Sequence, residues 1–225
     1  MDRLHQRRAG REPRFRLAGV RTSWHTLDDG EFFCPDCGGD RNYRRRTGSR
    51  RAVLLGLPLV RRGTTGPVVE CADCRHHFDE HALERPTTAR LGAMLRDAVH
   101  TVALVVLAAG DSTDSSPVAA AVESVRAAGF PQCDEEQLIA LLAAFDAESV
   151  EGHAVEAELR ETLAPLAEEL ALPGRENLLL RGAHIALADG PYQPAEERAL
   201  DLIGAALQLP PTEVERLLAA ARAVS

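Results

Sequence analysis

From Pro86 to the C-terminus the apolar positions recur every three or four residues, the period of a helix with one buried face. Leu91, Met94, Leu95, Ala98, Val99, Val102 and Val106 form one stripe, which stops at Gly110 and the polar GDSTDSS. Ser116-Pro117 opens a second helix and Gly129 ends it, since proline suits the first helical turn and glycine the residue just past the last. Asp134 and Gln137 make a capping pair ahead of LIALLAAF. A fourth helix is expected from about His153 to Ala171, kinked or broken by Pro165, which removes a ladder hydrogen bond. Pro173 or Gly174 begins a fifth, ending at LADG; Gln193-Pro194 opens a sixth and Pro210-Pro211 a seventh. Seven short helices with brief loops predict a compact all-α domain over residues 86–225. Its roughly 140 residues are enough to enclose a core.

Before Pro86 the pattern changes. RRAVLLGLPLV and PVVEC are rich in Val and Leu, and they lie between turn signals at Thr47-Gly48, Arg62-Gly63 and Thr65-Gly66-Pro67. They read as a small antiparallel sheet. Pro58 must then sit at an edge or a bulge, because it cannot donate to a ladder. The apolar Val53–Val60 segment is either the core of that sheet or an apolar contact.

Composition supports a mainly α chain: aromatics make up only 4% of the 225 residues, and Ala and Leu are abundant. Charge separates the chain into parts. Residues 1–75 carry 16 Arg against 9 acidic residues, whereas residues 76–225 carry 10 Arg against 25, giving −8 in all with no lysine. Two modules are expected, with residues 1–22 as a flexible Arg-rich leader, 23–82 as the sheet-bearing module and 86–225 as the helical one. The N-terminal stretch has no apolar segment of the kind a secretory signal needs. The longest apolar run, Val102–Ala109, is far short of the roughly 20 residues of a membrane-spanning helix. A soluble, cytoplasmic protein without a transmembrane segment is therefore expected.

Four of the five cysteines fall into two CxxC pairs, Cys34 and Cys37 in CPDCGG and Cys71 and Cys74 in CADC, with 33 residues between the pairs. Two residues between cysteines let both sulfurs turn inward on one knuckle, and two knuckles supply the four corners that zinc prefers. A lone CxxC also fits a redox pair, but a doubled one points to a single zinc per chain in a zinc ribbon with long arms. Four thiolates leave no open position, so the metal is expected to be structural. His76, His77 and His81 are expected to flank the second knuckle rather than bind the metal. Cys133 is expected to be a small buried residue.

The stretch IALADGPYQPAEERALDLIGAALQLP resembles the tellurite-resistance TerB family, whose ADG turn is followed seven positions later by Glu on the next helix; here these are Asp189, Gly190 and Glu196, with Glu197 adjacent. The likeness covers roughly residues 86–223. It implies a TerB-like bundle of about seven helices, and the Cys-rich part is similar to the zinc ribbon that precedes such a domain in some members. The resemblance also implies a second, divalent cation held by acidic residues from two repeated turns, with Asp189, Glu196 and Glu197 as candidates. Oxygen ligands of that kind suit hard cations. A weak repeat at an offset of 80 residues lays ALVVLAAGDSTDSSPVAAAVESV over HIALADGPYQPAEERALDLIGA. It suggests two helical hairpins facing each other. In the first copy Ala109, Ser116 and Pro117 stand where the second has Asp189, Glu196 and Glu197, so only a shifted Asp111 and Asp114 would rebuild that half-site. Without a cation, Asp189 is a turn residue and the two glutamates are first-turn acids favoured by the helix dipole.

No nucleophile–base constellation and no phosphate loop is legible, so no catalytic residue is assigned and no enzyme is expected. His184, one turn before Asp189, is expected to be a partly buried histidine. The resemblance implies a non-enzymatic module for docking to a protein partner, or for cation sensing, in a tellurite-resistance or general stress-response system. The alternative is a nucleic-acid-binding accessory protein, since Arg41, Arg44, Arg45, Arg46, Arg50, Arg51, Arg61 and Arg62 crowd the ribbon arms.

Overall fold

In the computed structural model, residues 18–54, 57–110, 115–148 and 152–224 are described. The chain divides after Thr87 into two units, each considered by itself.

The first unit is built on period-two alternation. β1 (Ala18–Cys34), β2 (Gly39–Leu54), β3 (Leu57–Cys71) and β4 (His77–Phe78) form one antiparallel sheet in chain order. Phe32 and Cys34 are two apart on β1, as are Val69 and Cys71 on β3, so each pair shares a face. These four are the fully buried residues among those described in the unit, with Tyr43, Phe78, Ala82 and Leu83 packed around them. The Phe32 ring meets Tyr43 edge-on, with 5.7 Å between centroids. The Tyr43 ring also lies over Gly30, where a Cβ would stand 3.0 Å from it.

The sheet differs from the expectation in one respect. β1 begins at Ala18, inside the stretch assigned to the leader, and precedes the first knuckle. Its sequence is too polar to signal a strand alone. It is held by β2, in an almost unbroken register from Ala18↔Leu54 to Cys34↔Gly39. Residues 1–17 lie outside the described residues. Pro58 pairs with Val53 beside a register jump, on a part of β3 that β4 does not reach, so it occupies a bulge at an edge. The side chains of Val53–Val60 lie outside the described residues.

The second unit has seven described α-helices: α1 (Thr88–Ala109), α2 (Ser115–Ala127), α3 (Glu135–Glu148), α4 (Gly152–Glu169), α5 (Leu172–Ala186), α6 (Pro194–Ala206) and α7 (Pro211–Arg222). α1 packs against α2, α3, α4, α5 and α6. Beyond the predicted stripe it also buries Ala103, Val105 and Leu107, as a central helix must. It is the one described helix long and apolar enough to cross a membrane by length and composition, and those apolar residues form the bundle core. α1 and α2 both pack on α5, and α1 on α6, so the repeated hairpins do face each other. Gly182 marks the close approach: a Cβ there would lie 3.1 Å from both Val102 and Leu200.

The caps follow the sequence signals. The Gln137 N–H donates to Asp134 Oδ1 at 2.8 Å, and Pro173, Pro194 and Pro211 each occupy a first helical turn. Of the kink or break expected at Pro165, the break does not occur: α4 continues past it to Glu169. Pro165 is exposed while Leu163, Leu166 and Ala167 are buried around it. The carbonyl left without a donor therefore faces water, and packing holds the helix together.

Candidate metal centre

The two knuckles are the turns between β1 and β2 and between β3 and β4. Each closes in the same way. The Gly38 N–H donates to the Cys34 carbonyl at 2.9 Å, and the Arg75 N–H to the Cys71 carbonyl at 3.1 Å. Both closing residues are left-handed, Gly38 at φ 67° and Arg75 at φ 62°. This conformation is free for glycine but costs an arginine roughly 1–2 kcal/mol, so the second knuckle carries local strain.

β2 joins the knuckles, since Gly39 pairs with Cys34 and Tyr43 with Cys71. The result is a cluster in which the sulfurs of Cys34, Cys37, Cys71 and Cys74 all lie within 4.8 Å of one another. Cys34 Sγ and Cys74 Sγ are 3.8 Å apart. Four sulfurs at about 2.3 Å from a tetrahedral zinc stand about 3.8 Å from each other, so the donor set and its spacing fit that ion. Cys34 and Cys71 are fully buried, Cys37 half-buried and Cys74 exposed.

Electrostatics also favour a cation. Burial, together with hydrogen bonds to Cys34, Cys74 and Cys71, pushes the Cys37 thiol up to about 12. Burial also opposes ionisation of Cys71, but the backbone N–H groups of Cys74 and Asp73 at its sulfur prevail and hold it below the ordinary thiol value. Four thiolates this close cannot coexist without a positive charge among them.

The histidines are exposed and bound to carboxylates. His76 Nδ1 pairs with Asp36 of the first knuckle, His77 Nε2 lies 3.2 Å from Glu70, and His81 Nδ1 is 3.1 Å from Glu84. Glu70 was not legible in the sequence. It follows Val69 on the opposite face of β3, is 6% exposed, and accepts from Arg46, from Arg75 at 3.3 Å and from His77. Burial raises its carboxyl pKa, yet these three partners outweigh burial and lower it. Glu70 thus ties β2 to the residues just after Cys74. Only its alternation with Val69 and Cys71 hinted at a defined face.

The acidic candidates behave differently. Asp189 is exposed in the turn after α5. Glu196 is 2% exposed, and its Oε2 accepts the Gln193 N–H at 2.8 Å, closing a capping box on α6. Its other oxygen would lie 2.9 Å from a Cβ at Gly110, the end of the facing hairpin's first helix. Burial raises its pKa, against the Gln193 N–H and with the aid of Asp189. Glu197 pairs with Arg222 of α7. The cysteine set is the one metal-type cluster among the described residues. Asp111 and Asp114 lie outside them.

Cys133 is buried as expected, and burial raises its thiol pKa. It borders a cavity of about 400 Å³ with His100 and Phe130. His184 is exposed rather than partly buried: Ala183 and Ile185 take the core positions, and His184 lines an open groove of about 580 Å³ beside Glu123, Asn177 and Arg181.

A four-cysteine ribbon and a bundle of seven α-helices thus define a two-part metal-site protein, whose helical part holds no reacting constellation among its described residues. Residues 96–219, more than half of the chain, match the family described as tellurite resistance protein TerB, and the chain belongs to that family. No curated protein and no solved structure matches it.

Proposed function

We propose that this is a non-enzymatic, cytoplasmic docking protein of a tellurite-resistance or stress-response system, with one structural zinc on Cys34, Cys37, Cys71 and Cys74. The observation that carries the reading is the convergence of four sulfurs at a spacing that suits a tetrahedral ion, with no fifth member of the cluster among the described residues. The zinc joins the knuckle between β1 and β2 to the knuckle between β3 and β4; it supplies no chemistry beyond that, because a closed thiolate site has no open position. Two features favour docking to a protein partner over cation sensing. Glu196 is committed to a helix cap and Glu197 to an ion pair, and the first copy of the repeat lacks matching carboxylates.

The test is total metal analysis of protein purified without chelator, with and without added calcium, beside Asp189→Ala. One zinc per chain and no second cation is the expected result. A calcium bound by the native chain and lost in the variant would replace docking with cation sensing. Absence of zinc from the native chain would overturn the ribbon assignment.

A further inference from the structure

The arginines of the ribbon fall into two populations. Near the knuckles four of the five have a carboxylate: Arg41 pairs with Asp73 at 2.8 Å, Arg45 with Asp28 at 2.8 Å and Glu80 at 3.1 Å, and Arg46 and Arg75 with Glu70, while Arg44 is exposed. The distal arm, residues 18–27, 47–54 and 57–67, contains Arg21, Arg50, Arg51, Arg61 and Arg62 and no Asp or Glu. Register sets three of them in one row across the three long strands, Arg21 opposite Arg51 and Arg51 opposite Arg61. Neighbouring strands stand about 4.8 Å apart, and like charges directly opposite each other are destabilising. Arg21, Arg50 and Arg51 are exposed, with no ion pair among the described residues.

We infer that this distal arm is a docking surface for the phosphate backbone of nucleic acid. Phosphate oxygens only accept hydrogen bonds, and the arm offers mainly donors. Ser23 and Thr64, exposed on the same face, add hydroxyls to the guanidinium row, and such groups position a protein on phosphates. Arginine's fork matches phosphate bidentately. A bilayer calls for interfacial aromatic anchors, but Trp24 is half-buried, 5.2 Å from the His77 ring and against Gly48. The contacts carry no base readout, so binding is independent of sequence. This role is separate from the docking proposed for the helical unit.

The test is fluorescence anisotropy of the full chain with a random-sequence DNA duplex in a salt series, beside Arg21→Gln/Arg51→Gln and the control Arg160→Gln on α4. With the three arginines of the row, Arg21, Arg51 and Arg61, on phosphates, affinity should fall about 40-fold between 50 and 200 mM salt, and in the double variant only about 3.5-fold. The control, whose arginine pairs with Glu156, should match the native chain. Unchanged zinc content and circular dichroism establish that the double variant is folded. No DNA binding, binding insensitive to salt, or binding equal in native and double variant overturns the inference. So does capture by phosphatidylserine vesicles in preference to DNA.

Discussion

Removing the zinc proposed for the four cysteines should unfold one unit and spare the other. Among its described residues the ribbon's core is small: Phe32, Cys34, Val69 and Cys71 are the fully buried ones. Only Phe32 and Val69 are hydrocarbon side chains, each worth about 1.5–3 kcal/mol when buried. A structural zinc contributes about 10–16 kcal/mol of apparent folding free energy at neutral pH. The metal therefore outweighs the apolar core of its own unit. The helical unit buries more than thirty residues of its own and includes none of the four cysteines. Titration with a strong chelator, followed by hydrogen exchange on peptides from both units, measures the outcome directly. Amides of β2 and β3, around residues 39–46 and 68–71, should lose protection as metal leaves, while α1 and α5 keep theirs. Retained ribbon protection in the metal-free protein would refute the reasoning, because the sheet would then be standing on packing that the structure does not show. Collapse of the helices at the same chelator concentration would refute the independence of the two units.

Two further predictions concern the helical unit. Glu196 has a raised pKa in the fold, so the unfolded chain releases this proton first, and the stability it confers at acid pH is lost as pH rises through its folded value. Glu196→Gln keeps the capping box and removes that loss; its melting temperature should match the native chain at about pH 4 and exceed it at pH 7.5, and a lower value at pH 7.5 would show that the charge has a partner there. At Gly204 in α6 a Cβ would stand 2.5 Å from Val214 Cγ2 of α7. Overpacking costs about 1–3 kcal/mol and outweighs the roughly 1 kcal/mol that alanine gains in a helix, so Gly204→Ala should lower the urea midpoint.

Much of this protein was determined by local pattern. Helix positions followed from three-and-four spacing and from Pro, Gly and Asx signals, which act within one turn of the chain. The four-cysteine cluster was legible because two CxxC pairs place sulfurs on knuckles whatever lies between them. The ADG turn and its following glutamate identified the family domain. Tertiary structure decided the rest. β1 became a strand because β2 supplied its ladder, and its own side chains gave no such signal. α4 ran through Pro165 because Leu163 and Leu166 are held in a core formed by distant residues. Glu70 became buried because Arg46, Arg75 and His77 converge on it from two strands and a turn. Glu196 became a buried cap packed against Gly110, where the sequence offered it as a cation-ligand candidate or a first-turn acid. The arginine row exists only in the register of three strands, since residues 21, 51 and 61 are distant in sequence and adjacent across the sheet. Periodicity and spacing act within a few residues; burial, register and charge pairing depend on neighbours that the fold alone brings together.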